Sequence, residues 1–165
     1  MDIAHGVLGP HAFPFHATLF DKSPDANWLV VWHQDTALSL KEKRDVPAWG
    51  PWSVKDGVNY AHAPASALDQ LLAIRIHLDD SREDNGPLRV LPGTHDQGVL
   101  NDDEIHCLSQ EIAPVSCTVE CGGLVLMRPL LVHASSKSIS LHSRRVLHIQ
   151  YASQPCFDGM ELATA

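Results

Sequence analysis

Short apolar runs separated by turn residues set the rhythm of this chain. Residues 17–20 and 28–32 read as strands joined by Asp21-Lys22-Ser23-Pro24-Asp25-Ala26-Asn27, a connection whose Pro, Asp and Asn favour chain reversal. Residues 41–60 show no clear period and carry Trp49-Gly50-Pro51-Trp52. They read as a long loop, a feature that often serves function in compact domains. The spacing of Ala65, Ala67, Leu68, Leu71 and Leu72 behind Pro64 predicts a helix over 64–72, proline being well placed in a first turn. Further strands are expected at 73–79, 88–91, 115–120, 124–128, 131–135 and 145–152, with turn signals at Asn85-Gly86-Pro87, Pro92-Gly93-Thr94 and Cys121-Gly122-Gly123. Asn101 followed by Glu104 has the form of a helix-start cap. Many short strands with one or two short helices indicate a mainly β fold, a sandwich or barrel of jelly-roll type.

Alternation within the strands adds a second layer. Arg144, Val146, His148 and Gln150 share one face, and Arg145, Leu147, Ile149 and Tyr151 share the other. Arg75, His77 and Asp79 likewise oppose Ile74, Ile76 and Leu78. Two arrangements produce this pattern. Either the polar faces meet solvent above an apolar core, or they line a barrel mouth that holds a charged ligand while the apolar faces pack beneath other elements.

A length of 165 residues suits one domain, 1–165, with a core that needs no staples. No apolar run approaches the roughly 18 residues of a membrane span. The start, Met1-Asp2-Ile3-Ala4-His5-Gly6, lacks the basic and apolar regions of a secretory signal. The formal charge of −8 comes without a basic block, which argues against nucleic-acid or anionic-membrane partners. An anionic ligand must then rely on a local arginine or lysine. Cys107, Cys117, Cys121 and Cys156 form no Cys-x-x-Cys pair, and reduced thiols in a cytoplasmic protein are the expectation over a Cys117-x3-Cys121 metal clip.

The candidate chemistry begins at Trp32-His33-Gln34-Asp35. Residues two apart in an extended segment point to one side, so His33 and Asp35 offer an imidazole and a carboxylate together. His133, 100 residues after His33, lies in Arg128-Pro129-Leu130-Leu131-Val132-His133-Ala134-Ser135 and would complete a 2-His-1-carboxylate set. That set leaves coordination positions open and is diagnostic of non-haem Fe(II) oxygenases. Such iron needs a co-substrate that chelates it and delivers electrons to O2, as a 2-oxo acid does. The far carboxylate of that acid needs a cation, for which the guanidinium fork is well shaped. Arg144, 11 residues after His133, is the candidate, because Arg145 shares its face with Leu147, Ile149 and Tyr151.

These stretches, with Arg75-Ile76-His77-Leu78-Asp79-Asp80, Asn85-Gly86-Pro87-Leu88-Arg89-Val90-Leu91-Pro92-Gly93-Thr94-His95 and Arg144-Arg145-Val146-Leu147-His148, resemble the phytanoyl-CoA dioxygenase family of Fe(II)- and 2-oxoglutarate-dependent oxygenases. The likeness runs from about residue 19 to 152 in the family's order. It implies a double-stranded β-helix, the cupin-like jelly roll, with iron on His33, Asp35 and His133 and 2-oxoglutarate held by Arg144 and Ser135. Gln34 and a loop tryptophan, Trp49 or Trp52, match co-substrate neighbours. Three departures stand out. The family's N-terminal, largely helical segment has no counterpart before the first core strand. Gly122-Gly123 stands where the family tends to have Gly-Asp. Its assisting lysine has only Lys22 as a candidate.

The implied activity is hydroxylation of an unactivated C–H bond of a small molecule by O2, with 2-oxoglutarate converted to succinate and CO2. Asp35 favours hydroxylation over halogenation, since related halogenases open a halide site by losing that carboxylate. Two other readings are a relative that binds metal and 2-oxoglutarate without turnover, and a cupin-like metalloenzyme independent of 2-oxoglutarate. Arg144 and Ser135 speak against the latter. If no further segment covers the site, the 41–60 loop or a second subunit of a homo-oligomer must act as its lid.

Overall fold

The longest strands decide the architecture. In the structure, a computed structural model that describes residues 2–164, the order is α1 (Asp2–Leu8), β1 (Phe13–Lys22), β2 (Val30–His33), β3 (Ala37–Leu40), β4 (Trp52–Lys55), β5 (Val58–His62), α2 (Ala65–Leu68), β6 (Leu71–His77), β7 (Leu88–Val90), α3 (Asp102–Glu111), β8 (Val115–Cys117), β9 (Leu124–Met127), β10 (His133–Ser135), β11 (Arg144–Ala152), β12 (Cys156–Phe157) and β13 (Met160–Glu161). The ten-residue β1 and nine-residue β11 pair antiparallel almost end to end. β6 then flanks β11 on its other side. The large sheet runs β1-β11-β6-β9, and a smaller one runs β2-β10-β7-β8. The chain passes back and forth between these two antiparallel sheets, which makes a double-stranded β-helix of the jelly-roll type.

Between the sheets the polar faces point inward. Lys22, Arg75, Arg144, His148 and Gln150 from the large sheet line the same cavity as His33, His133 and Ser135 from the small one. The apolar faces are covered from outside. Leu72, Ile74, Ile149 and Tyr151 pack under α1 through Ala4 and Leu8, and under Ala12 just after it. On the small sheet, Leu91, Val132 and Trp32 pack under α3 through Ile105 and Leu108. Of the two arrangements the alternation allowed, this is the barrel with a polar interior.

A third sheet, β3-β5-β4, closes one end over a cluster that includes Phe15, Leu38, Leu68, Leu130 and Met160. The C-terminal segment ties into it where Leu40 bridges Leu162 and Ala163 N donates to Ser39 O. Residues 41–60 are thus not a free loop, because β4 and β5 form a hairpin within them. Its turn, Asp56-Gly57, has positive φ at both positions (51° and 79°), as a type I′ turn requires. Trp49 lies in the core cluster, and Trp52 packs against it.

Two further differences from expectation have physical causes. Among the described residues there are three α-helices, α1 being the addition, since residues 2–8 show little periodicity. The 64–72 helix stops at Leu68, and residues from Leu71 onward form β6. One helical turn has little cooperative stability of its own, whereas Leu71 and Leu72 pair with Ala152 and Tyr151 and are buried. The start cap at Asn101 is present as a reciprocal pair, with Glu104 N donating to Asn101 Oδ1 and Asn101 N donating to Glu104 Oε2. No helix among the described residues is long and apolar enough to cross a membrane.

Candidate metal and carboxylate site

A bulge sets the site. His133 pairs with His33 and Ser135 pairs with Val30, so three residues of β2 span the interval that two of β10 cover. The extra residue rephases β2. Trp28 and Val30 line the cavity on one side of the bulge, and His33 and Asp35 line it on the other. Just past the strand, Asp35 N donates to Pro129 O (2.9 Å), which clamps this segment against the approach to β10.

The ligand atoms of His33, Asp35 and His133 lie within 4.8 Å of one another. His33 Nε2 is 3.5 Å from Asp35 Oδ1, and His133 Nε2 is 3.6 Å from Asp35 Oδ2. Each histidine donates its other ring N–H to a carbonyl two residues earlier, His33 Nδ1 to Val31 O and His133 Nδ1 to Leu131 O, both at 2.8 Å. A carbonyl can only accept, so the proton sits on Nδ1 and the Nε2 lone pairs turn to the cavity, the outer bonding typical of metal-binding imidazoles. Burial alone would raise the Asp35 pKa, yet the facing imidazoles of His33 and His133 hold it at about 2. Burial lowers the His133 pKa, offset only in part by Asp35. For His33, burial is outweighed by the nearby Asp35 and Val31 O, which favour the protonated ring, and its pKa rises. Ligand atoms on one face of a six-coordinate ion, each about 2.1 Å from it, stand about 3 Å apart. Two imidazoles and an ionised carboxylate at these separations fit a divalent transition metal.

Deeper along β1 and β11 the cavity is cationic. Lys22 and Arg144 are register partners, and both are at least 97% buried. Lys22 Nζ donates to Ser135 Oγ (2.8 Å) and Ser136 O (2.7 Å), and lies 5.4 Å from the centre of a Trp28 ring. Burial, with the charges of Arg144 and Arg75, brings the Lys22 pKa down to about 8. Ser135 Oγ donates to Gly86 O (2.8 Å), and Arg144 Nε donates to Asn85 O (3.1 Å). Asn85 is itself fixed by donating Nδ2 to Asp80 O and accepting from Arg82 N. Gly86 has φ +67°, and a Cβ there would meet Ser136 O at 2.4 Å, so only glycine lets this turn press against Lys22 and the end of β10. Arg144 Nη1 is buried with no partner. A guanidinium N–H left unpaired in a pocket with a lysine and a serine fits an anion.

Arg145 points the other way and pairs bidentately with Asp79 (Nε to Oδ2 and Nη2 to Oδ1, both 2.8 Å). The structure therefore brings together His33, Asp35, His133, Arg144 and Ser135, and adds Lys22. It places three expected co-substrate neighbours elsewhere. Gln34 alternates away from its two neighbours, donating Nε2 to Leu130 O (2.7 Å) and Gly98 O (2.9 Å) and accepting from Leu100 N. It braces the loops behind the triad. Trp49 is held in the core, its indole N–H donating to Asp158 (3.2 Å), and Trp52 lies against the same cluster. The aromatic side chains that line the cavity are Phe20, Trp28 and Tyr60. Arg75, His148, His16 and Thr18 also line it and had no assigned role, although the alternation of β6 and β11 already put Arg75 and His148 on the polar face. Gly123 accounts for the departure from Gly-Asp: a Cβ there would meet Val119 Cγ1 at 2.4 Å and Glu120 O at 2.9 Å.

Comparison with known proteins identifies a family and a set of similar folds. The family model for phytanoyl-CoA dioxygenase matches residues 1–146. L-proline trans-4-hydroxylase from Streptomyces griseoviridis is 27% identical over 140 residues, covering 69% of this chain and 52% of that protein. The chain thus spans about half the length of this curated relative. Among solved structures, AviO1 from Streptomyces viridochromogenes Tue57 is 25% identical with a TM-score of 0.64, covering 92% of this chain and 55% of its own. EctD from S. alaskensis with 2-oxoglutarate and 5-hydroxyectoine is 20% identical with a TM-score of 0.65, covering 92% of this chain and 48% of its own. EctD has also been solved with bound Fe.

Proposed function

Because this chain belongs to the phytanoyl-CoA dioxygenase family, we propose that it is an Fe(II)- and 2-oxoglutarate-dependent dioxygenase that hydroxylates an unactivated C–H bond of a small molecule, with formation of succinate and CO2. One observation carries the reading: three converging metal-ligand side chains share a cavity of about 270 Å³ with a buried arginine whose Nη1 lacks a partner. A relative named as a hydroxylase and a fold neighbour solved with 2-oxoglutarate support it.

His33, Asp35 and His133 would hold Fe(II), which when bound supplies the oxidation chemistry with O2. Three protein ligands leave room for co-substrate and O2. Val31 O and Leu131 O fix both imidazole tautomers before any metal arrives. Arg144, Lys22 and Ser135 bind the far carboxylate of 2-oxoglutarate, orienting its 2-oxo end toward the triad. Ser135 Oγ takes one hydrogen bond from Lys22 and gives its single O–H to Gly86 O, so it positions the lysine and meets the carboxylate itself only by turning that O–H away from Gly86. Phe20, Trp28 and Leu88 supply apolar wall, which keeps water from the reacting carbon.

The test is an anaerobic titration with Fe(II) and 2-oxoglutarate, followed by O2 and quantification of succinate. Saturable binding of both, and succinate formed in step with O2 consumed, is the expected result. Binding of neither ligand, or binding with no succinate against any member of a metabolite library, would sink the proposal.

A further inference from the structure

We propose that the cavity contains a second anion site, built on Arg75, that takes a carboxylate group of the organic substrate. The inference rests on the oxygenase reading and goes beyond it by naming the substrate class. Arg75 extends from the middle of β6 into the cavity and is 7% exposed. Nη1 donates to His148 Nδ1 (3.1 Å), and the guanidinium lies 5.4 Å from the centre of the Phe20 ring. Nε is buried with no partner, and no carboxylate pairs with Arg75 among the described residues. A guanidinium has five N–H donors and is seldom buried without an anion.

The charges point the same way. Lys22, Arg75 and Arg144 line the cavity against a single carboxylate, Asp35. A divalent metal and the dianion of 2-oxoglutarate cancel each other, so two positive charges remain with both in place. A neutral or cationic substrate would leave that excess uncompensated in a largely buried space, and a carboxylate would relieve it.

Arg75 enters the cavity at a different level from Arg144. Its register partner is His148, four residues along β11 from Arg144, or about 13 Å of strand, although its charge still reaches Arg144 and Lys22. With His148 it also bears on Asp35 and His133 of the triad. His148 holds the arginine in place. By accepting from Arg75 at Nδ1 its ring keeps a proton at Nε2, which adds a neutral donor beside the guanidinium. Burial and the Arg75 charge keep this ring neutral, with a pKa near 4. Thr18, the partner of His148 on β1, and His16 and Gln150 beyond it make that end polar and open to a substituted substrate.

The experiment is calorimetric titration of the anaerobic Fe(II)–2-oxoglutarate protein with three matched pairs: pentanoate and pentanamide, cyclopentanecarboxylate and its amide, benzoate and benzamide. At least one acid is expected to bind about tenfold or more tightly than its amide, as charged hydrogen bonds allow. Arg75→Gln should bring that ratio close to one while leaving 2-oxoglutarate affinity within a few-fold of the parent. Arg75→Lys, which keeps the charge and loses the fork, should retain part of the preference and serves as the readout if the glutamine variant does not fold. No acid preference in any pair, or loss of 2-oxoglutarate affinity in Arg75→Gln with the acid preference intact, would overturn the proposal. If the parent protein binds neither Fe(II) nor 2-oxoglutarate, the oxygenase reading fails on its own. The same acid and amide titrations of the metal-free protein then decide the anion site separately.

Discussion

Arg144 and Lys22 make opposite demands on the medium around them. Arg144 keeps its charge at any working pH, and its partnerless Nη1 is worth most when an anion meets it. Arg144→Ala should therefore cost about 2–5 kcal/mol in 2-oxoglutarate binding, tens-fold or more in affinity, while Fe(II) still binds. Separate calorimetric titrations with each ligand check this. Lys22, in contrast, titrates near pH 8 because burial and two arginines disfavour its charged form. Its positive charge is present below that pH and lost above it, so 2-oxoglutarate affinity should fall as pH rises through about 8. In Lys22→Met the affinity should be weaker throughout and flat across that range. A parent protein with flat affinity from pH 7 to 9 would show that Lys22 does not contribute charge to the ligand. At this scale the sequence was most readable where short spacing does the work. His33 and Asp35, two apart, and Arg144 against Arg145, one apart, follow from strand parity. Arg75 and His148 were visible only as members of a polar face, because parity cannot say which face is inside.

The strands and turns show where pattern reading stops. β6 is buried on nearly every position, Leu71 through Arg75 and His77, so its start has no alternation to mark it and merges with the helical spacing of Ala65, Ala67 and Leu68. Tertiary pairing with β11 places that boundary. The β4–β5 hairpin was hidden for the opposite reason. Its strands are short and largely exposed on β4, but Asp56-Gly57 between Lys55 and Val58 is the strongest hairpin turn signal a sequence offers. Gly57 has φ +79°, with open space where a Cβ would go, so Gly57→Ala isolates backbone strain from crowding. It should destabilise the protein by about 1 kcal/mol, read as a lower urea midpoint with unchanged slope. The Asn101 cap needed no tertiary information, because both of its hydrogen bonds close within four residues.

For the whole molecule, a polar interior makes stability depend on pH in a definite order. His77 and His148 have pKa values near 4, lowered by burial and then by Arg75. Their ordinary value is 6.5, so between about 6.5 and 4 the unfolded chain takes up protons that the folded one refuses, and stability falls as pH falls. Asp35 and Asp79 are held near 2, below their ordinary 3.8. Their contribution is present above about 3.8 and is lost as pH drops toward 2. Urea midpoints measured from pH 7 to 3 should thus decline in two stages, the first beginning before any carboxylate titrates. His77 is 1% exposed with both ring nitrogens unpartnered. His77→Leu should therefore raise stability at pH 5 by about 1 kcal/mol or more and shrink the first stage. An unchanged acid profile in that variant would place the first stage elsewhere. The jelly roll itself was legible from many short strands. The covering of its outer faces by α1 and α3 was not, since coverage depends on which helix lands where.

β11 carries Arg144, His148 and Gln150 on one side while bonded to β1 and β6 on its two edges. Loss of a single residue within it would shift everything beyond the deletion by one place, sending inward groups out and Leu147 or Ile149 in. The loop just before it, by contrast, leaves Ile139 and Leu141 more than 80% exposed. In the currency of heritable variation, the site is digital with respect to chain length. A deletion scan should find residues 139–142 permissive and residues 144–150 intolerant, with an abrupt edge at Arg144 rather than a gradient.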